Sequence, residues 1–205
     1  MFGNRNMRST ISLSLIAMAG LLGASCAGTR PVHYYTLEPA SAAANPGNPD
    51  GATILVGTIV TPEALQDDRI SYRVGANEVG GYEYHRWVER PGAMVRDSLV
   101  RALRSSGKYQ RVIESSSSAI GDYLIHGKLY EFDEMDTPAI QTRISLHLEL
   151  VDKKTNRNVW DSHFERAEPA SGKNIKDVVE SMDRNLRQVV REAAAEIDKF
   201  LAAPR

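Results

Sequence analysis

The stretch Ile140–Val151 constrains this chain more than any other. Ile144, Leu146, Leu148 and Leu150 take alternate positions, with Arg143, Ser145, His147 and Glu149 on the other parity. Successive side chains of a strand point to opposite faces, so one face is buried and the other is wet. An antiparallel sheet with one solvated side has this pattern, whereas a parallel sheet covered on both sides shows continuous apolar runs. Asp122–Phe132 and Asn158–Ala167 read as flanking strands, and Asp152-Lys153-Lys154-Thr155-Asn156-Arg157 as a polar turn. A turn centred on Thr155, with apolar faces matched, sets His147 opposite His163 and Glu149 opposite Asp161.

Shorter strands precede these. Ile54–Val60 is β-rich and ends at Pro62. Arg69–Val74 and Tyr82–Trp87 flank the turn-rich link Gly75–Gly81 and are expected to form a hairpin. Pro91 marks a helix start, where its missing N–H costs nothing. Met94, Val95, Leu99, Ala102 and Leu103 share one helical face, and Gly107 suits the stop. Tyr109–Ile113 reads as a strand and Ser115–Ser118 as a loop. From Asn174 to Leu201, the residues Ile175, Val178, Met182, Leu186, Val189, Ala193 and Ile197 form a stripe at helical spacing. Such a helix would run about 40 Å. The order strands, helix, strands, helix predicts an α+β domain, with a mainly antiparallel sheet and both helices on one face.

The amino terminus is of another kind. Met1–Thr10 carries Arg5 and Arg8 and no acid, and Ile11–Leu22 is apolar apart from two serines. That is a secretory signal, too short to span a bilayer, which takes about 20 residues. It ends in Gly23-Ala24-Ser25-Cys26, and Cys26 is the only cysteine. This resembles the lipobox of bacterial lipoproteins, with Leu22 one place upstream of its usual position. The single cysteine also excludes an internal disulfide and any multi-cysteine zinc site. Several acyl chains on Cys26 make a stable anchor, at about 0.8 kcal/mol per buried CH₂. Ala27, where inner-membrane retention would place Asp, favours the outer membrane by the same resemblance.

The expected division is a signal at 1–25, a lipidated end and flexible tether at 26–52, and one domain at 53–203. Pro39, Pro46, Pro49, Gly47 and Gly51 make the spacer. Within it, Val32–Leu37 is β-rich. Tyr34 and Tyr35 read first as an edge strand docked on the sheet and second as a partner-contact strand.

Chemistry is sparse. No nucleophile elbow, P-loop, dinucleotide fingerprint or metalloprotease helix occurs. With 25 Lys and Arg against 26 Asp and Glu there is no electrostatic footprint for nucleic acid. The His147, His163, Glu149, Asp161 set has metal-ligating types, but a solvated outer face explains it more simply. His85, Glu89 and Asp97 suggest an acid–base set that no spacing compels. No catalysis, metal or cofactor is expected. The last helix carries six Lys or Arg and six Asp or Glu from Lys173 to Lys199. That balance suits core packing rather than a basic membrane-surface helix.

With these residues set out, the chain resembles the ABC-type transport auxiliary lipoprotein family, the PqiC-like proteins. The likeness rests on the signal ending at Cys26, on Tyr34-Tyr35-Thr36-Leu37, on the strand Ile54–Val60 with Pro62, on Arg69-Ile70-Ser71-Tyr72-Arg73, and on His85-Arg86-Trp87-Val88-Glu89. It implies an accessory lipoprotein at the outer membrane, facing the periplasm. The partners implied are an ABC transporter and a mammalian-cell-entry (MCE) domain protein, in a system that moves phospholipids and supports envelope integrity. A homo-oligomer is compatible with that role. The residues carrying the likeness are Tyr34, Tyr35, Arg69, Tyr72, Arg73, Trp87 and Glu89, as partner contacts or as a buried Arg–Glu pair beside Trp87. Two other classes remain: an envelope-assembly lipoprotein acting on lipopolysaccharide or an outer-membrane protein, and an anchored hydrolase.

Overall fold

The alternation that predicts the long strands is also what builds the sheet. The computed structural model describes residues 30–37, 45–75, 77–115, 119–136 and 139–203. The signal, Cys26 and the part of the expected spacer at 38–44 lie outside them. Eight strands form one mixed sheet: β1 (His33–Tyr35), β2 (Thr53–Val60), β3 (Arg69–Val74), β4 (Glu78–Trp87), β5 (Arg111–Glu114), β6 (Tyr123–Met135), β7 (Gln141–Asp152) and β8 (Arg157–Pro169). Two helices complete it, α1 (Pro91–Ser105) and α2 (Ile175–Ala202). The α+β class and the helices packed against one side of the sheet are as expected.

β6 is the central strand. One edge pairs with β7, and β7 pairs with β8, both antiparallel. On the other edge, the amino-terminal half of β6 pairs with β2 and its carboxy-terminal half with β3, both in parallel. β5 adds to β2 and β1 adds to β4, again parallel, while β3 and β4 form the expected antiparallel hairpin. The long ladders are therefore antiparallel and the outlying pairings are largely parallel. Parallel neighbours need crossover connections. The hairpin and α1 supply that crossover between β2 and β5. His147 pairs with His163 and Glu149 with Asp161, the register that matched faces require.

Ile144, Leu146, Leu148 and Leu150 are all fully buried, together with Ile125, Leu129 and Phe132 of β6. α1 covers β2 and β5, α2 covers β7 and β8, and the helices pack on each other. Val95, Leu99 and Leu103 are the buried face of α1, and Met182, Leu186, Val189, Ala193 and Ile197 that of α2. Pro91 opens α1, and Gly107 closes it with φ of 68°, a conformation glycine adopts without strain. Asn174 caps α2 in a capping box, accepting from the backbone N–H groups of Lys176 and Asp177 while Asp177 accepts from its own. No described helix is long and apolar enough to cross a membrane.

Two boundaries differ from expectation. β4 begins at Glu78, so Val79, Gly80 and Gly81 are strand rather than turn. Gly80 sits opposite Tyr72, where a Cβ would lie 2.4 Å from the tyrosine ring. The ring covers the place a side chain would fill. Second, the compact unit starts at Val32, well before Thr53. β1 is paired, and Asn48 N–H donates to the Tyr109 carbonyl at 3.1 Å while Gln110 N–H donates to that of Ala52 at 3.0 Å. The Asn45 side chain donates to the Ser105 carbonyl at the end of α1. The link between Cys26 and the first paired strand is therefore residues 27–32, far shorter than composition suggests.

Candidate functional site

β1 is only three residues long, so β4 must hold it through side chains as well as the ladder. Parallel register puts His33 beside His85 and Tyr35 beside Trp87. Trp87 is fully buried, so Tyr35, His33 and His85 share its helix-bearing side of the sheet. The His33 and His85 rings stack with centroids 5.5 Å apart, and the Tyr35 hydroxyl lies 3.0 Å from His85 Nδ1. Tyr82 meets His85 edge-on at 5.8 Å, and Tyr72 meets Tyr82 at 5.1 Å. The Tyr82 hydroxyl donates to Glu134 of β6 at 2.8 Å. An aromatic and imidazole chain thus runs from β1 through β4 and β3 to β6.

Burial sets its titration. Desolvation, then the bond to Glu134, raises the Tyr82 phenol well above its ordinary value, so it stays protonated. Desolvation also raises the Glu134 carboxyl, with Asp136 adding to the rise and the Tyr82 bond opposing it. A carboxyl whose folded value is raised favours folding at acid pH and loses that contribution as pH rises through the raised value. Glu134→Gln is therefore expected to melt a few degrees higher at pH 7 and unchanged at pH 4. A variant less stable at pH 7 would show that Tyr82 requires the ionised carboxylate.

His85 carries the opposite sign. Burial first, then the neighbouring His33, lowers its value. Its contribution is present above the unfolded value of about 6.5 and lost as pH falls below it. His33, Tyr35 and Tyr82 face the ring, and none supplies a carboxylate. Val88 N–H donates to the Tyr35 carbonyl at 2.8 Å and so reports β1 docking. Its hydrogen-exchange protection is expected to fall between pH 7.5 and pH 5 in the parent, to fall less in His33→Phe, and to stay level in His85→Phe.

The residues singled out from sequence divide between the two sides. Tyr35, Tyr72 and Trp87 join the helix side, where Trp87 meets Phe132 edge-on at 5.8 Å. Tyr34, Arg69 and Arg73 point to the other side, and Glu89 is exposed beyond the end of β4. The expected Arg–Glu pair beside Trp87 does not form. Alternation turns both arginines away from the indole. Arg69 pairs with Asp67 at 2.8 Å and Arg73 with buried Asp133 at 2.9 Å. The set His85, Glu89, Asp97 also stays apart, with Asp97 bound to Arg96 on α1. His33 is placed by the β1–β4 register, and Tyr82 and Glu134 by the β3–β4 and β3–β6 registers, none of which local sequence encodes.

Two further features lie elsewhere. On the outer face, Arg73, Glu131, Arg143 and Glu165 link β3, β6, β7 and β8 through ion pairs. Among the described residues no group of three or more His, Cys, Asp or Glu is placed to hold a metal. Between α1 and α2 runs a groove of about 300 Å³, with Leu37, Ala102, Leu186, Val190 and Ala194 along it and Arg101 and Arg191 at its sides. On the outer face the Ser145 hydroxyl lies 3.3 Å from His163 Nε2, beside the ion-paired residues.

Comparison with known proteins agrees with this architecture. A Xanthomonas campestris crystal structure of the DUF330 family model superposes with TM-score 0.72 at 22% identity, covering 82% of this chain and 96% of that one. A second, uncharacterized protein gives 0.65 at 16% identity, covering 82% and 99%. A hypothetical protein of Chlamydia trachomatis gives 0.51 at 11% identity, covering 75% and 99%. These likenesses show the fold alone. No curated protein sequence matches the chain. The family model described as ABC-type transport auxiliary lipoprotein component matches residues 35–194. That stretch begins in β1 and takes in β2 to β8, α1 and most of α2, so the chain belongs to the ABC-type transport auxiliary lipoprotein component family.

Proposed function

We propose that this protein is the outer-membrane-anchored, periplasm-facing accessory subunit of an ABC transporter that works with an MCE-domain protein to move phospholipid and support envelope integrity. Its role is to bind and to position, without catalysis. The observation that carries this reading is the family match over residues 35–194. The chemistry agrees, since the chain has a lipoprotein-type signal ending at its only cysteine and no ATP-binding loop. Acylated Cys26 is the anchor, Ala27 directs sorting to the outer membrane, and the sheet domain contacts the transport complex.

Affinity purification of the intact lipidated protein in mild detergent tests this, with both proteins and lipids identified. Recovery of an MCE-domain protein is expected. It should be lost in cells with Cys26→Ser and retained by the isolated soluble domain at high concentration. Recovery of a barrel-assembly factor or lipopolysaccharide with no MCE-domain protein would overturn the reading in favour of an envelope-assembly role.

A further inference from the structure

β1 changes what the amino terminus can do. From Cys26 to Val32 the chain has six steps, about 20 Å at full extension. Val32 leads directly into β1, which is held on β4. If Cys26 lies in a bilayer, the β1–β4 edge of the domain stays within that distance of the lipid surface. Residues 45–52 extend no reach, because they follow β1 and are fastened to the domain.

The outer face of this edge is apolar where it can be. Tyr34 pairs with Arg86 on the side away from the helices, and Val32 and Val88 flank that pair just outside the two strands. Val32 is 40% exposed, Tyr34 61% and Val88 60%. Two arginines on this side of the sheet are paired, Arg69 with Asp67 and Arg86 with Asp68. The face therefore offers a phenol and branched aliphatic groups without a free cationic cluster. Tyrosine with apolar neighbours suits the boundary between headgroups and acyl chains.

We infer that the outer face of the β1–β4 edge, carrying Val32, Tyr34 and Val88, docks on the bilayer surface that holds the anchor. This rests on the proposed acylation of Cys26. The apolar set is small, so the contact is weak by itself and depends on the short link. Such a link raises the effective concentration of the face at the membrane to about the millimolar range. Docking fixes the domain's orientation, turning β8 and the outer end of the sheet away from the lipid.

Once Cys26 is acylated, a cysteine introduced elsewhere is the only free thiol. The experiment places an environment-sensitive nitrobenzoxadiazole label on Thr36→Cys, beside Tyr34, and separately on Thr155→Cys in the β7–β8 turn. Each lipidated full-length protein is reconstituted into vesicles of phosphatidylethanolamine and phosphatidylglycerol, with and without a doxyl-labelled lipid. The residue 36 label should be blue-shifted and quenched several-fold more than that at 155. Tyr34→Ser with Val88→Ser, added to Thr36→Cys, should return it to a water-like signal while the protein still floats with the vesicles. A residue 36 label that stays water-like on vesicle-bound protein overturns the docking and leaves the anchor intact. Shielding that rises with protein density at constant lipid also overturns it, assigning the face to a second copy. An unmodified mass at Cys26 overturns the anchor and the docking with it.

Discussion

Trp87→Ala is expected to destabilise the domain by about 3–5 kcal/mol, lowering Tm by roughly 10 °C. Trp87 is fully buried at the end of β4 and stands edge-on to Phe132 of β6. Removing it empties the place where the hairpin joins the central strand, and the core closes over such a hole only in part. Trp87→Phe should cost less than half as much. It keeps a ring against Phe132 and removes the buried indole N–H, which has no hydrogen-bond partner among the described residues. An unmet buried donor costs about 1–3 kcal/mol, so its loss offsets some of the lost packing. Urea unfolding of the three proteins measures both differences. A Trp87→Ala change below about 1 kcal/mol would mean the hairpin is held mainly by β3, through its pairing with β6. The Val88 amide, reporting β1, should lose protection before the amides of β7 in Trp87→Ala.

Asn185→Ala is the second large effect, expected at about 2–3 kcal/mol. Asn185 is fully buried in the middle of α2. Its side-chain amide donates towards the Thr142 carbonyl at 3.0 Å, the Thr142 hydroxyl at 3.3 Å and the Arg166 carbonyl at 3.2 Å. One turn earlier, Ser181 meets the Thr142 hydroxyl at 2.9 Å and donates to the Glu168 carbonyl at 2.8 Å. This network fixes the position of α2 along β7 and β8, which apolar packing alone would leave free to slide. Ser181→Ala should cost about 1 kcal/mol, because one hydroxyl is lost and the amide remains. Equal effects of the two substitutions, measured by urea unfolding, would show that the helix is positioned by its apolar stripe.

The same residues show what sequence makes legible. Strand alternation and helical spacing are local, so β6, β7, β8, α1 and α2 can be read within a few residues of their ends. Register across the β7–β8 turn also follows, because a shift by one residue would turn Leu146 and Leu148 to water. Asn185 and Ser181 are harder. They fall on the apolar stripe of α2 but read as ordinary polar interruptions until Thr142 and the carbonyls of β8 are in place. The residues that carry the likeness to the auxiliary lipoprotein family lie on or just beyond β1, β3 and β4, and the Arg–Glu pair expected among them is replaced by Arg69–Asp67 and Arg73–Asp133. Arg73 meets Asp133 because β3 lies parallel to β6, a contact between segments about sixty residues apart.

Sequence by itself determined the class of this protein. Its alternating strands and amphipathic helices are patterns over a few neighbouring residues, and hydrophobic burial acts on them directly. Only the tertiary structure decided that β1 adds to β4, that Asn45–Ala52 lies fastened to the domain, and that His33, His85, Tyr82 and Glu134 form one chain. Strand addition at an edge depends on which backbone groups are left unpaired by the rest of the sheet, and three residues of β1 carry too little pattern to name their partner. That one pairing leaves residues 27–32 between Cys26 and the first paired strand, a span of at most about 20 Å.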